Sequence, residues 1–321
     1  MSRTAYDGSL EKARSKRTKM SAMIIFILMP ITLAASVMFL DGAKYMITSL
    51  LIIIYTMVPF FMIFESRKPK AREIVIIATV TAITIVAHML MHAFGGIQIG
   101  SALVIIAGVS LGPEAGFLVG ALSRFVLNFY MGQGPWTPWQ MFCWGLMGFL
   151  AGLVFNKMTK EQLKLGTKTE SLKSRNFRAI FGPVMAVFAM EAVAYVSFII
   201  WPGEDGTFLG WRIYAAGALG LLIGVLFQRK RLPCDNITLT LFTFFSILII
   251  YGGISNLSML LYSSGTPTEY TLDFDTIRTL FVAGLPYDIT HSVLASICMF
   301  VVGNPMIRKI ERIKIKYGVY M

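Results

Sequence analysis

Nine polar or ionisable side chains stand inside otherwise apolar runs of this chain: His88, His92, Arg124, Asn128, Gln140, Glu191, Asn256, Asp288 and His291. A charged group in hydrocarbon costs about 2.5 to 3.5 kcal/mol on insertion scales, so each of these calls for a partner or a function. His88 and His92 are four apart and share a helix face, a spacing that metal sites use. Residue 89 is Met, so this is not the zinc-protease pattern, and ligand contacts, internal hydrogen bonds or plain packing are the readings that remain beside a metal. Asp288 and His291, three apart, also share a face, and contact between them would lower the cost of burying the carboxylate. Arg124 is expected to neutralise Glu191 or Asp288, or to hold an anionic ligand. An intramembrane enzyme could use Asp288 and His291 as acid and base, but no third orienting group stands out. An ion-coupled secondary transporter would instead rely on Glu191 and Asp288.

The elements that must position these groups are apolar runs near 20 to 40, 45 to 64, 73 to 93, 99 to 112, 114 to 131, 137 to 156, 178 to 201, 209 to 228, 236 to 262 and 277 to 303. A bilayer core of about 30 Å takes around 20 helical residues per crossing, so the expectation is an all-α, polytopic membrane bundle of about ten transmembrane helices. The run 99 to 112 is short and ends at Gly112-Pro113; it is expected to tilt, to enter only part of the way, or to continue through the proline with a kink. The expected layout is a basic tail at 1–19, an amino-terminal hairpin at 20–64, a bundle at 72–303 with a helix pair near 178–228, and a second basic tail at 304–321.

Charge placement sets the orientation. Of the 29 Lys and Arg, 25 fall in five stretches that border the apolar runs: the amino-terminal tail, 67 to 72, 157 to 178, 229 to 231, and the tail from Arg308. Asp41, Glu204, Asp205, Glu269, Asp273 and Asp275 occupy the intervening connections. This alternation is the positive-inside pattern and places both termini in the cytoplasm. With 56% apolar and 14% charged residues the composition is far from that of a soluble domain, whose charged share is about 25%. The net charge of +12 belongs to short loops beside spans, without the aromatic platforms of a nucleic-acid surface, so the partner it implies is the lipid bilayer. Cys143, Cys234 and Cys298 lack metal or redox spacing and read as reduced packing residues.

Gly145, Gly148, Gly152, Phe155 and Lys157 recur 72 positions later as Gly217, Gly220, Gly224, Phe227 and Arg229. The two copies would lie parallel in the membrane, either as a duplication or because small residues recur wherever helices pack closely. Ala78 with Ala82, Gly116 with Gly120, and Gly148 with Gly152 are small-xxx-small pairs that suit helix contact. The chain has no GxxxxGK[ST] phosphate loop, no nucleophile elbow and no HExxH helix, so active transport would draw energy from an ion gradient or from separate subunits.

Three segments occur together and in order: Ala-Thr-Val-Thr-Ala at 78 to 82, Gly-Gln-Gly-Pro-Trp-Thr-Pro-Trp-Gln at 132 to 140, and Gly-Leu-Pro-Tyr-Asp-Ile-Thr-His at 284 to 291. With the stretch from Tyr251 to Asn256 and the closing segment from Ile310 to Gly318, they resemble the substrate-binding S component of energy-coupling factor (ECF) vitamin transporters over roughly residues 72 to 321. The resemblance implies a helical bundle that binds a vitamin, a vitamin precursor or a corrinoid at its outer side through loops 94 to 99, 131 to 137 and 263 to 276. It places Gln98 and Gln133 in the ligand site beside His88, His92, Arg124, Asn128, Gln140, Asn256, Asp288 and His291, with Trp136 and Trp139 as ligand wall or interfacial anchors. It also implies that Ala78 and Ala82 dock on a transmembrane coupling subunit driven by two cytoplasmic ATPases, ATP being used by those partners with no cofactor or catalytic residue here. S components usually have six core helices; the amino-terminal hairpin and the pair near 178–228 depart from that pattern.

Overall fold

The computed structural model describes residues 71–134, 136–155, 173–201, 211–227, 232–263 and 274–319, with Met23 and Ile31 as isolated positions. The tail 1–19, the hairpin 20–64, most of the basic connection 157–178 and most of loop 263–276 lie outside the described residues. Within them the chain is helical: α1 (Ala71–Ala93), α2 (Gly100–Leu111), α3 (Pro113–Met131), α4 (Thr137–Val154), α5 (Lys173–Ile200), α6 (Trp211–Phe227), α7 (Asn236–Phe245), a π-helical segment Ser246–Gly252, α8 (Gly253–Ser263) and α9 (Phe274–Lys316).

Each apolar run expected after residue 70 is a helix. Among the described residues three helices, Ala71–Ala93, Asn236–Met259 and Asp275–Lys316, are long and apolar enough to span a bilayer, while Gly100–Leu111 is a shorter apolar helix. α2 shows why a short one suffices. All twelve of its residues are buried, so it faces no lipid and forms the centre of a bundle made by α1, α3, α4 and α9. It stops at Gly112, whose φ of 100° favours glycine, and Pro113 opens α3 at a position where its missing N–H costs nothing. The chain therefore breaks cleanly at Gly112-Pro113 and does not kink through it.

α3 and α4 pack backbone to backbone. A Cβ on Gly120 would lie 2.4 Å from the Trp144 carbonyl oxygen, one on Gly116 2.5 Å from that of Gly148, and one on Gly152 2.3 Å from the Pro113 nitrogen. Each four-residue step along α3 meets a four-residue step along α4, so the two small-residue pairs expected from the sequence grip each other. Gly220 plays the same part in α6, where a Cβ would meet the Val187 Cα of α5 at 2.6 Å. Gly148 and its counterpart Gly220 thus each bring a helix against its predecessor.

α7 starts at Asp235, whose carboxylate accepts from the Thr238 amide at 2.9 Å. α9 runs for 43 residues with Pro286 and Pro305 inside it. It carries the expected tail from 304 onward as continuous helix through Lys316, and the end of that helix is docked: Lys314, 4% exposed, donates to the Ser110 carbonyl of α2 and to Glu311 at 2.9 Å. Arg72 donates to the Tyr317 carbonyl at 3.1 Å, joining the start of α1 to the same place. Large apolar side chains such as Val75, Val86, Phe129, Ile199, Phe300 and Val301 are exposed along the outside, as a lipid-facing surface requires. The three cysteines are free thiols.

Candidate ligand site

Polar side chains gather where α1 and α3 end and α4 begins. His88 continues the buried stripe of α1 after Ile77, Val80 and Thr84 and is fully enclosed. The Gly100 amide donates to its Nδ1 at 3.1 Å. Gly100 is the first residue of α2 and Ile99 makes no side-chain cap, so His88 supplies the cap from another helix. With the Nδ1 lone pair engaged, the proton of the neutral ring sits on Nε2. The Trp144 ring stands edge-on to His88 with centroids 5.2 Å apart, and a Cβ on Gly100 would come within 2.1 Å of that indole, so the close approach requires glycine. His92 stacks on His88 at 6.0 Å.

Arg124 is 4% exposed. Its Nε donates to Gln140 Oε1 at 3.0 Å, one terminal nitrogen reaches Met131 Sδ at 3.7 Å, and the guanidinium lies 5.3 Å from the Trp144 ring centroid. Asn128 Nδ2 donates to Gln140 Oε1 at 3.0 Å and to Thr137 Oγ1 at 2.9 Å, and Thr137 donates to Gln133 Oε1 at 2.9 Å. Arg124 thus joins a neutral amide chain and pairs with neither Glu191 nor Asp288, which removes two of the three roles open to it from the sequence. No carboxylate among the described residues neutralises it. Glu191 sits on α5 beside Gly217 of α6, away from this group.

Asp288 and His291 also part company. Residues three apart on a helix point about 60° apart, and α9 lies where those directions meet different neighbours. His291 Nε2 is 3.1 Å from Ser101 Oγ of α2, and its ring stands edge-on to Tyr251 of the π segment at 4.8 Å. Asp288 turns toward α6 and α8, where its Oδ2 accepts from the Tyr214 hydroxyl and from Asn256 Nδ2, the latter at 3.0 Å. The expected Asp288–His291 pair is therefore replaced by two separate attachments. Gln98 donates to the Tyr287 hydroxyl and ties the loop between α1 and α2 to α9.

Several of these groups are left with unused capacity. His88 Nε2, His92 Nδ1, Gln98 Oε1, Asn128 Oδ1, Trp144 Nε1 and His291 Nδ1 are buried atoms without a hydrogen-bond partner. Each buried unsatisfied group costs about 1 to 3 kcal/mol, and folded chains carry few of them. Six such atoms come from α1, α3, α4, α9 and one connecting loop, beside a buried cation without a counterion among the described residues. The set mixes donors (His88 Nε2, Trp144 Nε1, Arg124) with acceptors (Gln98 Oε1, Asn128 Oδ1), which suits a ligand presenting both.

At the rim, Gln133 is exposed, its amide reaching the Phe125 carbonyl at 3.3 Å, while Trp136 is 37% exposed and donates to the Gly132 carbonyl at 3.3 Å. Trp139 is buried. Reading the sequence for charge and amide groups passed over Ser101, Thr137, Trp144, Tyr214, Tyr251 and Tyr287. Tyr287 lies within the segment 284 to 291, Thr137 within 132 to 140 and Tyr251 within 251 to 256, so the motifs carried a signal for those three. Tyr214 is one tyrosine on an apolar helix and carried none.

A family model described as "ECF-type riboflavin transporter, S component" matches residues 68–200. That stretch covers α1 to α5 and stops where α5 ends. A UPF0397 protein of Vibrio atlanticus (strain LGP32) is 32% identical over 133 residues, 40% of this chain and 68% of that protein. No solved structure matches the chain.

Proposed function

Because this chain belongs to the S-component family of ECF transporters, a family of membrane transport subunits and not of enzymes, we propose that it is the substrate-capture subunit of an ECF importer for a vitamin-type nutrient. Supporting this reading is the cluster of buried, unpartnered polar atoms around Trp144, with Arg124 lacking a counterion beside it. The ligand enters from the end of the bundle where the loops 94 to 99 and 131 to 137 lie. Riboflavin is the first compound to test, since the matching family model is named for it.

The finer parts of the proposal concern assembly. Along α1 the residues Val75, Ala78, Thr79, Ala82, Ile83 and Val86 are exposed, while Ile76, Ile77, Val80, Thr84 and His88 face the bundle. Ala78 and Ala82 give the exposed face a shallow strip on which another helix backbone could lie closely, and we assign the coupling subunit to it. Two cytoplasmic ATPases would drive that subunit. About ten spans with both termini cytoplasmic in a bacterial plasma membrane complete the reading.

The deciding experiment has two arms. The purified full chain in detergent is titrated with riboflavin, and the compounds that copurify with it are identified by mass spectrometry. Vesicles holding the chain with and without coupling and ATPase subunits are then assayed for uptake. Binding by the chain alone, with uptake only in the full assembly and only with ATP, supports the proposal. Accumulation against a gradient by the chain alone would overturn it in favour of an ion-coupled transporter.

A further inference from the structure

Asp288 is 2% exposed, and no cation among the described residues pairs with it. Its two hydrogen bonds both end on Oδ2, one from Tyr214 of α6 and one from Asn256 of α8. The surroundings are shaped to this arrangement. Gly252, the last residue of the π segment, has room for no Cβ, which would lie 2.7 Å from the Asp288 carboxyl and 3.0 Å from the Tyr214 ring. Gly284 does the same beside Asn256, where a Cβ would come within 2.4 Å of the amide oxygen. Tyr214 itself is 4% exposed and held edge-on by Phe281 with centroids 4.8 Å apart. Two donors from two helices fix one oxygen and so fix the rotation of the whole carboxyl, leaving Oδ1 with no hydrogen bond among the described residues.

We infer that Tyr214 is a specificity-determining residue of the ligand site, one that positions the Asp288 carboxyl so that its second oxygen receives a hydrogen-bond donor of the bound nutrient. The inference rests on the capture function proposed above and adds to it. α6 lies beyond residues 68–200, so Tyr214 comes from a part of the chain that the family model does not cover. A site built around a fixed acceptor favours a ligand with an N–H or O–H at that place and rejects an analogue without one, because the buried carboxyl oxygen would be left unpaired. Tyr214 touches no ligand in this account. It acts through Asp288 and is a positioning residue.

The test uses the full chain in detergent with riboflavin and its imide-N-methyl analogue as probes, read by quenching of flavin fluorescence. Tyr214→Phe is expected to weaken riboflavin binding about tenfold, the effect of about 1.4 kcal/mol, and to bind the methylated analogue as the parent chain does. Asp288→Asn should weaken riboflavin binding as well, and adding Tyr214→Phe to it should change nothing further. Thermal melting of each variant reports folding independently. Unchanged riboflavin affinity in Tyr214→Phe, or equal losses for both probes, would reduce the hydroxyl to a structural tie and overturn the inference while the capture reading stands. Absence of riboflavin binding by the parent chain would instead overturn the choice of riboflavin, a failure visible before any substitution is made, and the inference would fall with it.

Discussion

Lys314 and Ser110 lie 204 positions apart, yet the Lys314 ammonium donates to the Ser110 carbonyl at the end of α2. Glu311, 6% exposed, is the other partner of that ammonium. A buried pair broken on one side strands a charge, which costs about 3 to 5 kcal/mol. Lys314→Met should lower the melting temperature in detergent by several degrees, and adding Glu311→Leu should restore most of it. A single substitution that melts with the parent chain would show that the pair carries no stability.

Trp144 and Trp136 differ in depth, and their substitutions should differ in consequence. Trp144 is fully buried with an unpartnered Nε1, whereas Trp136 is part of the rim. Trp144→Phe removes one open donor and the surface under Arg124, and is expected to weaken riboflavin binding about tenfold. Trp136→Ala should weaken it by a smaller factor. Titration of both variants checks the order, and a reversed order would move the ligand outward to the loop.

Ala78→Leu and Ala82→Leu add bulk to an exposed strip of α1 without touching the buried face. Both should leave riboflavin affinity unchanged in the isolated chain while abolishing uptake in vesicles with the coupling and ATPase subunits. Equal loss of binding and uptake would remove the docking role from this strip.

Gly148→Ala and Gly253→Ala make a paired prediction about packing. A Cβ at Gly148 would sit 2.3 Å from the Gly116 carbonyl oxygen, a backbone atom that cannot step aside alone, so α3 and α4 must separate. At Gly253 the nearest atom would be the Tyr214 ring at 3.6 Å, an ordinary contact. Gly148→Ala should cost about 1 to 3 kcal/mol or prevent a monodisperse preparation. Gly253→Ala should be neutral or stabilising by up to about 1 kcal/mol, through helix propensity. Melting curves of the two variants distinguish these outcomes.

Helices were legible because apolar runs of this length between basic clusters have few other uses. The close α3–α4 pair was legible too, since Gly116, Gly120, Gly148 and Gly152 carry their packing role in their spacing. Partners were harder to read. Arg124 finds Gln140 only because α3 and α4 form a hairpin in one particular register, and Asp288 turns from His291 to Tyr214 because of where α6 lies. Such choices depend on the relative rotation of packed helices, which local spacing does not encode. The basic tail expected from 304 onward carried no sign of its docking for a related reason: α9 continues through it to reach α2, where Lys314 and Glu311 are buried.

Asp288 and Lys314 ride on the same uninterrupted helix, roughly 40 Å apart at about 1.5 Å of rise per residue. A lever of that length turns a tilt of about 5° at one end into a displacement of about 3 Å at the other. Movement on that scale exceeds the tolerance of a hydrogen bond. A ligand held at Asp288, as proposed above, would thereby be joined to the fastening at Ser110 by rigid-body geometry, with Pro305 as the proline between them where the rod could flex and absorb the motion.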